Sequence, residues 1–371
     1  MKVLVTGAAG FVGKHIVIAL ENDKHTVFKY DLATPKELLD IYVKEADFII
    51  HLAGVNRPLS NDEFYEGNVN FTYHLLETMK KYDVKVPLIF SSSIKAKEDS
   101  DYGKSKKQAE DYLFRYSEAT DVPVYIYRLD NLFGKWSRPN YNSVIATWCY
   151  NITHDLPLVV SDPTYTFNFL YIDDVITEFM HVVNLKRRRK QMTPLTIKPT
   201  YRKSLGEIKA LLESFVNVRT SLVIPNMDNG FISKLYATYL SYLEPKDFIY
   251  DLTMHRDERG SFSEFIRTSN AGQVSVNVSK PGISKGEHYH HTKNEKFLVV
   301  YGQAEIAYRK IDTDEVISFV VSGEKLQVLE MVPGYTHNIT NIGESDLVTI
   351  MWASENFDPK RPDTYYLKVK K

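Results

Sequence analysis

At 371 residues the chain exceeds one ordinary domain and reads as two or more. Its 46 Lys and Arg balance 47 Asp and Glu, a formal net charge of −1, so nothing points to a nucleic-acid groove or an anionic membrane as partner. An apolar fraction of 43% against 25% charged excludes a disordered or fibrous chain, and the lone Cys149 excludes an internal disulfide and a thiolate zinc knuckle.

Met1 to Gly7 is a short apolar strand running into a glycine turn. It lacks the apolar run and small-residue cleavage site of a signal peptide. No stretch approaches the roughly 18 consecutive apolar residues of a membrane span, so a cytoplasmic protein is expected. Residues 2–6, 26–30, 48–52, 86–91 and 123–128 read as buried strands, separated by helical patterns over 12–21, 35–44, 68–82 and 104–118. Such alternation builds an α/β fold, a doubly wound parallel sheet of Rossmann type with ligands at the strand carboxyl ends. Lys186 to Lys190 is the one basic run, read as a solvated helix end or loop. The pattern changes at Glu244-Pro245-Lys246-Asp247. Short alternating runs follow over 261–267, 273–280, 296–300, 304–310, 316–321, 326–331 and 345–353, an all-β sandwich or barrel. Two domains are expected, 1–243 and 244–371.

Thr6-Gly7-Ala8-Ala9-Gly10-Phe11-Val12-Gly13 follows the first strand and opens the first helix. Gly7 permits the turn, Gly10 lets backbone approach a pyrophosphate, and Gly13 lets helix pack on strand. The helix N-terminus, at Phe11 and Val12, offers unpaired N–H donors to phosphates. Asp31 ends the second strand. It can accept a hydrogen bond from an adenosine ribose, which favours NAD over NADP, or it can cap a helix. Leu52, Ala53 and Gly54 end the third strand and are small enough for a cofactor to lie over their backbone.

Tyr102 and Lys106 are spaced to share one helical face. An ammonium beside a phenol is expected to lower the phenol pKa, so that it can protonate a carbonyl that receives hydride. The lysine can also hold the nicotinamide ribose. Ser91, Ser92 and Ser93 end the preceding strand, where a hydroxyl can polarise the same carbonyl. With Asn68, Arg128 to Gly134 and Tyr171 to Val175, these elements resemble the extended short-chain dehydrogenases/reductases that act on nucleotide sugars, over residues 1 to about 240. The resemblance implies a Ser–Tyr–Lys centre, with Ser93 the serine and Ser92 the alternative. The gap from Ser93 to Tyr102 is short for that family, so a loop that shapes the sugar pocket is trimmed. Arg138, in the loop after the fifth strand, can hold a diphosphate.

His288 and His290 alternate onto one strand face, with Glu295 on the neighbouring strand and His337 from a distant one. Three imidazoles and a carboxylate suit Zn, Fe, Mn, Ni or Cu. His291 points to the other face. This spacing resembles the two cupin motifs over about 247–371, implying a jelly-roll barrel, although Pro333 and Gly334 are adjacent where the family has one residue between them. Arg256 to Glu264 and Lys285 to His290 are similar to the cupin branch of sugar 3,5-epimerases. His288, His290, Tyr289 and Tyr335 line the expected space, and the base stays unassigned.

A reductase of this kind fused to such a cupin resembles the bifunctional enzymes of capsular polysaccharide synthesis. The resemblance implies C3 epimerisation of a UDP-2-acetamido-2,6-dideoxy-4-keto-hexose in the cupin. Reduction of the C4 ketone with NADPH then gives UDP-N-acetyl-6-deoxy-talosamine, on the way to N-acetyl-L-fucosamine. It also implies zinc and a homodimer. NADH stays open because Asp31 has no well-placed arginine near it. The rival readings are a single-activity 4-ketoreductase whose metal-bound cupin only dimerises it, and a redox-sensing nucleotide-binding protein.

Overall fold

The apolar runs of the first half pair as a parallel sheet. The computed structural model describes residues 1–58, 60–253, 255–257, 260–262, 266, 272–355 and 360–371. Strands β1 (Lys2–Thr6), β2 (Thr26–Tyr30), β3 (Phe48–His51), β4 (Leu88–Ser93) and β5 (Val124–Leu129) lie in the order β2-β1-β3-β4-β5. Val3, Leu4 and Val5, like Phe48, Ile49 and Ile50, have no exposed surface. They show no alternation because helices cover both faces of the sheet. Those helices include α1 (Phe11–Asn22), α2 (Glu37–Glu45), α3 (Asp62–Phe64), α4 (Phe71–Lys81) and α5 (Asp101–Thr120). Strand order reverses at β1, which opens a crevice at the carboxyl ends of β1 and β3.

Three elements near that crevice depart from expectation, each for a local reason. Strand β4 continues to Ser93, past the expected 86–91, because its parallel pairing with β5 runs on to Leu129. Helix α5 starts at Asp101 and not at 104, because Ser100 Oγ accepts the Gly103 amide and caps it. Tyr102 therefore lies in its first turn. The segment Tyr65–Asn70, expected to open a regular helix at 68, is π-helical and runs into α4. Such wide turns are frequent at functional sites.

Strands β6 (Asn131–Phe133), β7 (Thr166–Tyr171) and β8 (Tyr201–Ser204) form a second small sheet. Helices α6 (Val144–Thr153), α7 (Ile172–Val183), α8 (Leu205–Val216), α9 (Val218–Ser221) and α10 (Gly230–Leu240) complete the helical part. No helix among the described residues is long and apolar enough to cross a membrane.

The remainder is β-structure. It begins with β9 (Ile249–Asp251) and the ladder of β10 (His255–Asp257) with β11 (Gly260–Phe262). Then come β12 (Gln273–Ser279), β13 (Ser284–Tyr289), β14 (Glu295–Tyr301), β15 (Gln303–Lys310) and β16 (Val316–Ser322). Strands β17 (Gln327–Met331), β18 (Tyr335–Asn341), β19 (Leu347–Ala353) and β20 (Tyr365–Tyr366) follow. They make two five-stranded sheets, β12-β19-β14-β17-β9 and β16-β15-β18-β13-β20, the jelly roll expected. Parts of the expected strand 261–267 and of the segment 256–264 lie outside the described residues.

The chain folds as two compact units. One is Met1–Phe133 with Ser137–Ser143 and Thr166–Lys203; the other is Gly134–Trp136, Val144–Tyr165 and Ser204–Lys371. Within the second unit, helix α9 meets the β-structure through half-buried polar contacts. Arg219 lies over the Tyr250 ring at 5.6 Å, and Tyr250 meets Lys296, which is buried in an ion pair with Glu330.

Candidate active site and metal centre

The glycine turn is built around close approaches. Gly7 has φ +68°, and a Cβ there would meet Ala53 N at 2.8 Å. A Cβ on Gly13 would meet Gly7 O at 2.1 Å, so only glycine lets α1 start against β1. Gly10 is the N-cap of α1, with no side-chain cap and no acid in the first turn. The amides of that turn, including Phe11 and Val12, are left for an anion, which is what a pyrophosphate needs. Asp31 does not cap α2. Its Oδ2 accepts the Ala9 amide at 2.7 Å and its Oδ1 the Leu32 amide at 2.8 Å, so the acid leans on the glycine turn.

A one-way hydrogen-bond chain fixes the floor of the crevice. Thr6 Oγ1 accepts the amides of Leu52 and Ala53, both at 3.2 Å, so its own hydrogen goes to His51 Nδ1 at 2.7 Å. At the other end Thr72 Oγ1 donates to Asn68 O at 2.6 Å and so accepts from His51 Nε2 at 2.9 Å. Both ends assign the same neutral tautomer to His51. Burial, helped by the Lys106 charge, lowers its pKa to about 3. Asn68 holds Val55 by its amide and carbonyl, each at 2.9 Å, and reaches Ser105 Oγ at 3.0 Å. A Cβ on Gly54 would meet Asn68 Oδ1 at 2.5 Å and Lys106 Nζ at 3.1 Å. Thr6, Leu52, Ala53, Gly54 and Lys106 thus converge on one wall.

Ser93, Tyr102 and Lys106 come together at the end of β4. The Ser93 hydroxyl lies near enough to the Tyr102 phenol to favour its ionised form, and Lys106 Nζ donates to Ser91 O at 3.1 Å. Ser92, the alternative serine, is engaged elsewhere. It donates to Glu110 Oε1 at 2.6 Å, and the fully buried Glu110 carboxylate is gripped by Arg128 at 2.8 and 2.6 Å. One expectation is corrected. The Tyr102 phenol is not acidified: burial raises its pKa, and only the Ser93 hydroxyl opposes this. The charge that gives way is the lysine, whose burial lowers it to about 8 against the pull of Glu110.

Arg138 has an unforeseen neighbour. Its guanidinium lies 5.4 Å from the Tyr141 ring, and that of Arg57 lies 6.0 Å from the same ring. Two cations from different loops approach one aromatic ring. Arg57 stands alone in a loop, with no local pattern to single it out in the sequence.

In the β-structure, one ligand atom from each of His288, His290, Glu295 and His337 lies within 4.8 Å of every other. The strand assignment is corrected. His337 sits on β18, directly paired with β13 at His288, while Glu295 comes from β14 in the other sheet. A bulge at Gly286, with φ +110°, turns His288 inward. Burial holds the His288 imidazole down to about 4 and lowers His337, so both are neutral. Burial alone would raise Glu295, but His290 and His337 keep it well below the usual carboxylate range. Neutral imidazoles and an ionised carboxylate are the forms that ligate metal. His290 Nε2, Glu295 Oε2 and both nitrogens of His337 are buried without a hydrogen-bond partner. Orphaned polar atoms converging this closely fit a cation. His291 lies outside the cluster, as expected. Gly334, adjacent to Pro333, has φ +82°, and a Cβ there would meet the Trp136 ring at 2.8 Å.

Comparison with known proteins agrees with both halves. Residues 3–194 match the NAD dependent epimerase/dehydratase family, and residues 255–365 match the polysaccharide biosynthesis C-terminal domain. A UDP-2-acetamido-2,6-beta-L-arabino-hexul-4-ose reductase of Pseudomonas aeruginosa is 44% identical over 370 residues, covering 100% of this chain and 99% of that protein. The crystal structure of CapF, a capsular polysaccharide assembling protein of Staphylococcus aureus, matches with a TM-score of 0.68 and 47% identity over 99% of this chain and 100% of that one. CapF with the inhibitor 3-isopropenyl-tropolone matches with a TM-score of 0.63 and 43% identity, again over 99% and 100%.

Proposed function

The chain belongs to the NAD dependent epimerase/dehydratase family, and on that premise we propose a bifunctional nucleotide-sugar enzyme of capsular polysaccharide biosynthesis. The β-domain, from about residue 244, epimerises C3 of a UDP-2-acetamido-2,6-dideoxy-4-keto-hexose. The reductase domain before it reduces the C4 ketone to UDP-N-acetyl-6-deoxy-talosamine. The observation that carries the reading is the convergence of Ser93 and Tyr102 beside buried Lys106.

A nicotinamide cofactor, NADPH by family resemblance and NADH by Asp31, supplies the hydride when bound. Gly7, Gly10 and the first turn of α1 cradle its phosphates, and Lys106 holds its ribose. Tyr102 protonates the C4 oxygen as it gains charge. Its raised pKa keeps the phenol protonated and ready to donate in the reductive direction. Ser93 orients the phenol and polarises the ketone. Arg57 and Arg138 take the diphosphate, where paired guanidinium groups suit phosphate oxygens.

Order follows from chemistry. The C3 proton is acidic only while C4 is a ketone, so epimerisation precedes reduction. His288, His290, Glu295 and His337 hold zinc, which supplies charge to polarise a carbonyl or to brace the barrel. The test is product NMR after turnover of the 4-keto substrate in heavy water. Deuterium at C3 is expected, and its absence rejects the two-step scheme. We also propose a cytoplasmic homodimer, checked by light scattering.

A second reading has its own support. Four protein ligands make a closed metal site, the form usual for structural zinc, and the Pseudomonas relative is named for reduction alone. A single-activity reductase would then keep its turnover of the ketone after chelation and show no label at C3.

A further inference from the structure

The carboxyl-terminal segment 360–371 lies along the strand that carries His288. Strand β20 pairs antiparallel with β13, His288 against Tyr366 and Tyr289 against Tyr365. Leu367 N donates to Glu287 O at 2.8 Å and Val369 N to Glu287 Oε2 at 2.7 Å. Buried Arg309 donates to Lys368 O at 2.7 Å and to Val369 O at 2.9 Å. The segment is therefore held at several points independent of any metal.

Just before β20, Asp363 has φ +36°, a region that residues other than glycine rarely adopt. Strain of this kind persists where surroundings over-determine it, and here they do. Asp363 Oδ1 accepts the His291 amide at 3.0 Å. Its Oδ2 accepts the Thr292 amide at 2.8 Å, Thr292 Oγ1 at 3.0 Å and the Lys293 amide at 2.7 Å. Its carbonyl lies 2.6 Å from His290 Nδ1. Lys293 Nζ closes the arrangement on Pro362 O and Thr364 Oγ1, both at 2.8 Å.

Residues 291–293 are the first three of the four that connect His290 to Glu295, so one carboxylate holds most of the link between two of the four ligands, and Ser354 holds Asn294. A carbonyl can only accept, so His290 Nδ1 carries the proton. That leaves Nε2 as the nitrogen turned to the cluster, and Nε2 is the atom buried without a hydrogen-bond partner, 3.3 Å from Glu295 Oε2. Resting on the reading of the four side chains as a metal site, we infer that Asp363 is a positioning residue for that site. It fixes the tautomer of His290 and the reach of Glu295 through the carboxyl-terminal strap.

The test uses full-length protein stripped of metal. Zn2+ affinity is measured by competition with a chromophoric chelator, and Co2+ is added to read the ligand field in the visible spectrum. Asp363→Gly removes the carboxylate while suiting the positive φ, and Asp363→Asn keeps one acceptor. Asp363→Gly is expected to weaken Zn2+ binding about 10–100-fold and to shift the Co2+ bands, with Asp363→Asn recovering part of both. Affinities of both variants within about threefold of the parent, with an unchanged Co2+ spectrum, overturn the assignment. Should Asp363→Gly not fold, Asp363→Asn decides alone by the same two readings. A parent protein that binds neither ion removes the metal site itself, an outcome distinct from a parent that binds and variants that bind equally well.

Discussion

Around the glycine turn the buried polar atoms satisfy one another: Thr6, His51, Thr72 and Asn68 in one chain, Ser92, Glu110 and Arg128 in another. In the barrel, His290 Nε2, Glu295 Oε2 and both nitrogens of His337 are left facing each other. A site finished by its own hydrogen bonds presents backbone amides and a few free groups to a bound molecule. A site left unfinished asks for a charge to complete it. The first kind should lose little stability with its ligand, and the second should lose more while staying folded.

The sharpest test on the finished side is Tyr102→Phe. It removes one hydroxyl from a surface otherwise held by other residues. Ketone reduction should fall by about 10²–10⁴-fold while cofactor affinity stays within a few-fold. Equal loss of cofactor binding would mean that Tyr102 braces the crevice and does not donate the proton.

The next effect is on stability. Glu110→Ala leaves the Arg128 guanidinium in a low-dielectric site without its partner, at a cost of about 3–5 kcal/mol by denaturant melts. Chelation should lower the stability of the barrel by a comparable amount. Each orphaned buried group costs about 1–3 kcal/mol, partly relieved by water entering. If chelation leaves melting unchanged, the contrast between the two centres is wrong.

Much of this was legible in the residues. Gly7, Gly10 and Gly13 announce the turn, since a side chain at Gly7 or Gly13 would strike backbone, and the metal quartet shows in spacing. The failures have one cause. Helical spacing to Lys106 predicts an acidic Tyr102 phenol, yet burial, which spacing does not reveal, raises its pKa. Spacing predicts Glu295 on the strand beside His288, but sequence proximity across a turn does not reveal that the chain changes sheet there. Arg57 and Asp363 carry no motif at all. Their partners, Tyr141 and the connector 291–293, lie far along the chain.

The pH dependence of folding tests the satisfied chain directly. His51 titrates near 3 when folded and near 6.5 as its ordinary value. Between those values the unfolded chain binds a proton that the folded protein excludes. His51 therefore contributes stability that is full above about pH 6.5 and is lost as pH falls toward 3, with a slope of about 1.4 kcal/mol per pH unit. His51→Gln should flatten that part of the profile measured by denaturant melts, while an unchanged slope would mean that His51 is protonated in the fold.

The smallest expected effect concerns which nicotinamide cofactor fits. Asp31 is held against the glycine turn by the Ala9 amide, so its charge stays fixed whichever cofactor arrives. A 2′-phosphate beside it would meet a like charge in a partly solvated, screened setting. Asp31→Asn keeps an oxygen for the Ala9 amide and removes only the charge. It should raise the NADPH-to-NADH ratio of kcat/KM by about 3–10-fold, because like-charge repulsion at an exposed site is worth about 1 kcal/mol. A ratio that does not move would place the ribose elsewhere and leave Asp31 a brace for the turn. The finished site would then discriminate by shape, because the Asp31 charge would be silent.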